Sequence, residues 1–215
     1  MTADLEPRPG FVAPELAAEF PELAVYQVTV AARPSRSPRP VKERLRAMSD
    51  RFTGQKAIQL RRQPVPWAYR VFFRQIGIDP DDRRTPPEAH ALERMRAGGF
   101  KSRNLVDDAL LIATMETGVP VLAFDSGRLE GDVGLRLAGA SELLGDAGRS
   151  LRGGELVVAD RLRALAVLFG DCAPEHGVTQ RTESLLLVAV QVKGVPEVSV
   201  DEALWTAGEI LTAPE

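Results

Sequence analysis

The spacing of apolar residues changes at Val121, and this change limits the possible folds most strongly. Beyond this residue, short apolar runs alternate with turns that contain glycine and charged residues. Apolar runs of about four to eight residues between turns are typical of buried β-strands. The sequence therefore predicts strands at residues 121–124, 135–138, 155–159, 165–169 and 184–192.

The first half of the chain is predicted to be mainly helical, with one strand at residues 24–30, where β-branched residues alternate roughly with others. Three prolines make residues 33–40 a loop, because proline disrupts helices. Proline starts, glycine ends and apolar spacing predict helices at residues 41–52, 66–75, 86–98, 105–117 and 200–211. In the second of these helices, Trp67, Val71 and Phe72 are predicted to share one face. Together the elements indicate the α+β class.

The chain carries no pattern typical of export or of membrane insertion. Its single cysteine, Cys172, rules out an internal disulfide, and the acidic residues Asp4 and Glu6 stand where a signal peptide has a basic start. The apolar run at 185–192 is too short to cross a bilayer. We therefore expect a cytoplasmic protein that does not associate with membranes.

Positive charge is concentrated in residues 33–74, which carry a net charge of +10 in a chain whose net charge is −3. Such a segment can neutralise phosphates and release their counterions, which favours binding of nucleic acid. The alternative interpretation is a solvated helix face in an arginine-rich composition. The residues that we expect to contact RNA are Arg44, Arg46, Arg51, Lys56, Arg61 and Arg62.

Histidine and cysteine are too scarce for an obvious metal site. With two histidines and one cysteine, the chain offers few zinc ligands, and no cofactor motif is present, so we expect neither metal nor cofactor. A magnesium site built from carboxylates stays open, although no pattern marks one. His90 lies among helix-forming residues and is expected at the surface. Asp125 and Asp160 end predicted strands and are expected to shape turns.

Six short motifs occur in a characteristic order between residues 104 and 182. They are Asn104-Leu105-Val106-Asp107, Gly118-Val119-Pro120 leading to Ala123-Phe124-Asp125, Leu129-Glu130-Gly131, residues 136–138, residues 154–160, and Gly177-Val178-Thr179 with Thr182. This series resembles the B3/B4 domain of the bacterial phenylalanyl-tRNA synthetase β subunit. The resemblance implies a sheet sandwich flanked by helices. It covers residues 52–192 of a single domain at 1–215, with 1–51 as an N-terminal extension of helix and strand.

The same resemblance implies a pocket for the amino acid of a wrongly charged tRNA, which domains of this family hydrolyse. The family's Thr, His and Glu positions fall on Ala109, Leu122 and Val188, and the Asn that accompanies the Thr falls on Leu110. All of these positions are apolar here, which implies a pocket for a smaller or aliphatic group. The other positions that resemble the family's pocket are Pro120, Ala166 and Gly170.

Two classes of function follow from the resemblance. The first is a free-standing deacylase that binds the aminoacylated 3′ end of tRNA and hydrolyses the ester in trans. The second is a non-catalytic module that binds RNA or a small amino acid, and the apolar pocket positions favour it. A protein-interaction role for the acidic C-terminal half is a weaker third alternative. The sequence also leaves open whether the protein forms a homodimer.

The polar residues that we consider for catalysis are Glu175, His176, Thr179 and Asn104. A thiol nucleophile formed by Cys172 and His176 is possible in principle. However, their segment reads more simply as a turn between strands, in which a lone cysteine fills space. Asn104 also has two interpretations, because an Asn followed by acidic residues at a helix start is typical of an N-cap.

Overall fold

The computed structural model describes residues 5–146 and 148–213. The strands in this part of the chain are β1 (Arg8–Pro9), β2 (Phe11–Val12), β3 (Ala24–Val30), β4 (Val121–Asp125), β5 (Gly134–Leu137), β6 (Leu156–Ala159), β7 (Ala164–Val167) and β8 (Leu185–Gln191). The α-helices are α1 (Pro14–Glu19), α2 (Arg39–Arg51), α3 (Gly54–Leu60), α4 (Pro64–Gln75), α5 (Pro86–Ala97), α6 (Leu105–Thr117) and α7 (Glu197–Thr212). The α+β class is confirmed.

The strands form two sheets of four. The first has the order β1-β3-β8-β4, and all its pairs are antiparallel. The second has the order β2-β5-β6-β7, in which β2 lies parallel to β5. Both sheets therefore take a strand from the first thirty residues, and the N-terminal segment is built into the layers that the later strands form.

The main apolar core lies where helices α6 and α7 pack against each other and α7 packs against β3 and β8. Strand β8 is apolar on both faces, with Leu185, Leu187 and Val188 fully buried, because the sheet is covered on both sides. A second, smaller cluster fills the space around β6 and β7 and includes Leu144 and Leu151.

Most predicted elements are present, with ends that shift by a few residues. The strand at Ala24–Val30 and the helix at Leu105–Thr117 have the predicted bounds, whereas α1 and α3 were not predicted. Helix α3 is short and amphipathic periodicity is weak over seven residues, although Thr53 caps it by accepting from the Lys56 N–H. None of the helices in the described ranges has the length and hydrophobicity that a membrane span needs.

The predicted apolar face of α4 is wrong in part. Trp67 is 48% exposed and Val71 is 37% exposed, so only Phe72 of the three is buried. Instead, α4 buries Tyr69, whose hydroxyl donates to the Val190 carbonyl of β8 at 2.7 Å. Tertiary packing selects this face, because it satisfies the polar end of a buried tyrosine while burying its ring.

A buried ion pair joins α4 to α5. Arg70 Nη1 donates to both carboxylate oxygens of Glu88, at 2.8 and 3.0 Å, and Thr85 Oγ1 donates to Glu88 Oε2 at 2.9 Å. Arg70 Nη2 also donates to the exposed Asp81 at 2.8 Å. The first turn of α5 is thus fixed against α4 by charge-assisted hydrogen bonds.

Candidate functional site

A pocket with a cavity volume of about 290 Å³ lies where α5, α6 and the start of β4 meet the turn after β7. Its apolar lining includes Leu110, Leu111, Pro120, Val121, Leu122 and Phe169. Its charged lining includes Glu93, Arg94, Lys101, Arg103, Asp107 and Asp108. An apolar cavity with charged groups at one side is typical of sites for small molecules or for one end of a larger ligand.

The first turn of α6 forms one wall of this pocket, and Asn104 caps it. The Asn104 Oδ1 atom accepts from the Asp107 N–H at 2.9 Å, and its Nδ2 donates to Asp107 Oδ2 at 2.8 Å. These bonds confirm the N-cap interpretation and commit both ends of the amide to the helix start. Asn104 itself does not line the pocket.

Asp108 holds two loops against the same wall. It is 1% exposed, and its carboxylate accepts from Ser37 Oγ at 2.5 Å, from Ser102 Oγ at 2.6 Å and from the Arg103 N–H at 2.9 Å. A buried carboxylate with three donors is fully solvated by the protein. This role could not be predicted from the sequence, because the Ser37 donor lies 71 residues away along the chain.

The turn at Phe169 and Gly170 forms another wall. Phe169 has a φ of +55°, in the left-handed region that bulky residues rarely adopt. Its ring stacks on Phe73 at 5.5 Å and meets Tyr69 edge-on at 5.7 Å, while its carbonyl accepts from Arg83 at 2.9 Å. The strained conformation is therefore maintained by packing, and such strain concentrates at ligand sites.

His90 lies in the pocket lining, and its expected place at the surface is wrong. The residue is only partly exposed, because α5 packs against α6 and brings the imidazole into the cavity. Burial lowers the pKa of His90 below its ordinary value, the Glu93 carboxylate opposes the shift and Arg103 adds to it. Burial therefore favours the neutral form of the imidazole, which is able to accept a proton.

The basic residues predicted to bind RNA lie on helices next to those of the pocket. Helix α2 packs on α6 and α3 packs on α5. Arg94, in the pocket lining, donates to the Ser49 carbonyl of α2 at 2.8 Å, and the Phe100 N–H donates to Ser49 Oγ at 2.8 Å. The basic helices thus pack directly on the helices that line the pocket.

Ion pairs reduce this positive charge. Arg44 pairs with Glu116 at 2.5 Å, and Arg61 lies 3.9 Å from Asp81. The remaining predicted residues are exposed and form no ion pair within the described ranges; they are Arg46, Arg51, Lys56 and Arg62. Of the predicted residues, these four carry charge that is available to a polyanion, and we refer to them as the basic patch.

Comparison with known proteins identifies the family. The profile of the B3/4 domain matches residues 68–199, which is more than half of the chain. The chain belongs to the B3/4 domain family. The predicted match had been placed at 52–192, so the profile begins and ends later than the motifs suggested.

Curated relatives of this B3/4 domain protein are phenylalanine–tRNA ligase β subunits. The protein from Colwellia psychrerythraea is 37% identical over 116 residues, which is 52% of this chain and 14% of the relative. The proteins from Vibrio vulnificus and Nitrosococcus oceani are 37% and 38% identical over 100 and 98 residues, each 44% of this chain and 12% of the relative. The similarity thus covers only a small part of those subunits.

The structure divides the predicted pocket residues of this B3/4 domain into two groups. Pro120, Leu122 and Gly170 line the cavity. Ala109, Ala166 and Val188 are at most 1% exposed and do not line it. Val188 is the register partner of Leu122 in the β4–β8 pair, so its side chain lies beside that of Leu122 on the same face of the sheet.

The remaining candidates for catalysis lie elsewhere in this B3/4 domain. Glu175 and His176 follow β7 and stand beside Asp146, while Thr179 belongs to a turn in which its N–H donates to Thr182 Oγ1 at 3.0 Å. Thr182 in turn donates to Asp125 at 2.7 Å. This turn role of Asp125 was predicted, and Asp160 likewise accepts three backbone N–H groups. None of these residues lines the pocket.

Proposed function

We propose that this B3/4 domain protein binds the aminoacylated 3′ end of a tRNA and hydrolyses the ester of a wrongly attached amino acid. The observation that carries the proposal is the imidazole of His90 in the lining of a partly apolar pocket, next to the helices that carry the basic patch. The domain's similarity to phenylalanine–tRNA ligase β subunits supports tRNA as the partner. A tRNA substrate would also make the protein cytoplasmic.

The pocket suits a small or aliphatic amino acid. Leu110, Pro120 and Leu122 provide apolar contacts, and none of them offers a hydrogen bond from its side chain to a substrate hydroxyl. Phenolic or charged side chains would lose hydrogen bonds with water there, and unsatisfied polar groups cost about 1–3 kcal/mol each. The apolar wall of the pocket therefore discriminates by size and against polar groups that contact it.

The chemical step requires a water and a proton acceptor, because an aminoacyl ester is already activated. His90 accepts a proton from the attacking water, and the water attacks the ester carbonyl carbon. Collapse of the tetrahedral intermediate breaks the bond to the ribose oxygen, which takes up the proton. The products are the free amino acid and uncharged tRNA. Lys101, in the pocket lining, is placed to interact with phosphates, whereas Arg103 pairs with Glu93 at 2.6 Å.

The first experiment measures ester hydrolysis on a panel of cognate and mischarged aminoacyl-tRNAs. We expect selective hydrolysis of one mischarged species with a small or aliphatic residue. His90→Gln should reduce its rate constant by about 10²–10⁴-fold with tRNA affinity unchanged. Ala89→Gln, which places the same side chain at the adjacent exposed position, is the matched control and should retain full activity.

The alternative is a module that binds the aminoacylated end without turnover, which the apolar residues at Ala109, Leu122 and Val188 favour. The same panel separates the two functions. Salt-sensitive tRNA binding with no hydrolysis of any species would establish the alternative. Equal hydrolysis rates in the His90→Gln variant and its control would refute the role of His90 as the base. The protein would still be a deacylase.

A further inference from the structure

His176 is a buried imidazole whose hydrogen-bonding capacity is unused. Its side chain is 3% exposed, and neither Nδ1 nor Nε2 has a hydrogen-bond partner among the described residues. Buried polar groups in folded proteins almost always have a partner, and an unsatisfied one costs about 1–3 kcal/mol. The environment of His176 is therefore incomplete without a further group.

Two carboxylates stand beside this imidazole. One oxygen of Asp146, one oxygen of Glu175 and a ring nitrogen of His176 all lie within 4.8 Å of one another. Asp146 is exposed, Glu175 is partly exposed and His176 is buried, so the cluster is open to solvent on the side of Asp146. Imidazole nitrogen with carboxylate oxygens is a common ligand set for zinc and similar divalent ions.

The two carboxylates are oriented by contacts of their own. Glu175 Oε1 accepts from the Asp146 N–H, and Arg163 Nη1 donates to Asp146 Oδ1. Gly145 has a φ of +69°, and a Cβ atom there would lie 2.1 Å from Glu175 Oε1. The absence of a side chain at Gly145 therefore lets the loop approach the Glu175 carboxylate. Hydrogen bonds that orient a carboxylate, like those to Glu175 and Asp146, are typical of metal ligands.

We propose that Asp146, Glu175 and His176 form a binding site for a divalent transition-metal cation of the Zn²⁺ class. Ligand atoms on a four-coordinate zinc lie about 2.0–2.2 Å from the metal. Their mutual separations must then shorten to roughly 3.3–3.6 Å, which the exposed Asp146 can accommodate. Water would supply the fourth position. An all-oxygen ion such as Mg²⁺ suits the set less well, because one ligand is nitrogen.

The sequence did not predict a zinc site, because that prediction counted only histidine and cysteine as ligands. The fold adds the carboxylate of Asp146, which is 29 residues from Glu175 along the chain. None of the three residues lines the pocket that contains His90, so the metal site is independent of the proposed hydrolysis.

The test titrates Zn²⁺ into the full, chelator-treated chain and follows binding by calorimetry and by NMR of the histidine rings. The chain has two histidines, so His90→Gln leaves His176 as the only imidazole observed. We expect one zinc per chain and a shift of the His176 ring resonances. Asp146→Asn and Glu175→Gln should each weaken the affinity at least about tenfold.

The matched controls are Asp171→Asn and Cys172→Ser, which change an exposed carboxylate and the thiol close to His176 in sequence. Both should retain the affinity of the parent chain. The proposal is overturned if the parent chain takes up no stoichiometric zinc, or if bound zinc leaves the His176 resonances unchanged. It is also overturned if Cys172→Ser abolishes binding or the two carboxylate variants bind as tightly as the parent.

Discussion

Replacing Glu88 by Gln should destabilise the protein strongly, although the two side chains have nearly the same shape. Arg70 and Glu88 are 2% and 6% exposed, so the substitution leaves a buried guanidinium without its buried anionic partner. Breaking a buried pair typically costs about 3–5 kcal/mol. Asp81 still contacts Arg70 from the solvent side, so we expect the lower end, about 3 kcal/mol.

The measurement is the free energy of unfolding in urea, with thermal unfolding as a second readout. For a chain of this size, about 3 kcal/mol corresponds to a fall in Tm of about 6–12 °C. Glu183→Gln is the matched control, because Glu183 pairs with Arg33 at 2.6 Å while their side chains are 72% and 71% exposed. An exposed pair contributes about 0–1 kcal/mol, so this variant should unfold nearly as the parent does.

A double variant, Arg70→Met with Glu88→Met, separates charge burial from packing. Replacing both partners by apolar groups is often neutral or stabilising, so the double variant should recover most of the loss. Losses for Glu88→Gln and Glu183→Gln that agree within about 1 kcal/mol would refute the reasoning, since they would mean that Asp81 and water accommodate the Arg70 charge fully.

Three further predictions concern the pocket and the basic patch. Replacing Arg46, Lys56 and Arg62 together by Ala should weaken tRNA binding and reduce the slope of log affinity against log salt by about 2–3, measured by fluorescence titration; an unchanged slope would contradict the electrostatic role. Because burial lowers the pKa of His90, the hydrolysis rate should be flat from pH 7 to 8 and fall as acidification protonates the ring at a pKa below about 6.5, so a rate that first falls above pH 7 would argue against His90. Leu122→Trp should fill the cavity and abolish hydrolysis in the same assay with tRNA affinity retained, whereas full activity would place the amino acid elsewhere.

The elements with local signals could be predicted from the sequence. Helix α6 has a capping Asn104 at one end and Gly118, with a φ of +79°, at the other, and its bounds were predicted to the residue. Strand β3 was likewise predicted from its β-branched residues. Local hydrogen bonds and backbone conformation determine where these elements begin and end, and both depend on residues that are neighbours in the sequence.

The composition of the pocket could not be predicted in the same way. His90 enters the cavity only because α5 packs on α6, and nothing within α5 distinguishes it from a surface histidine. Asp108 gains its donors from segments as distant as Ser37. Of the pocket positions that the resemblance implied, Pro120, Leu122 and Gly170 line this cavity, whereas Ala109, Ala166 and Val188 are buried in the neighbouring elements and do not line it.

The neighbourhood of Glu88 and His90 on α5 connects stability with the proposed chemistry, and it yields a last prediction. The ion pair of Glu88 fixes the first turn of the helix, and His90 lies two residues further along. At a temperature where both variants are folded, Glu88→Gln should therefore lower the hydrolysis rate constant. Leu151→Ala removes a buried side chain from the separate cluster around β6 and β7 and costs a similar free energy, about 2–5 kcal/mol, but should leave the rate constant unchanged. Equal losses of activity in the two variants would mean that general stability limits hydrolysis, and that the ion pair does not position His90.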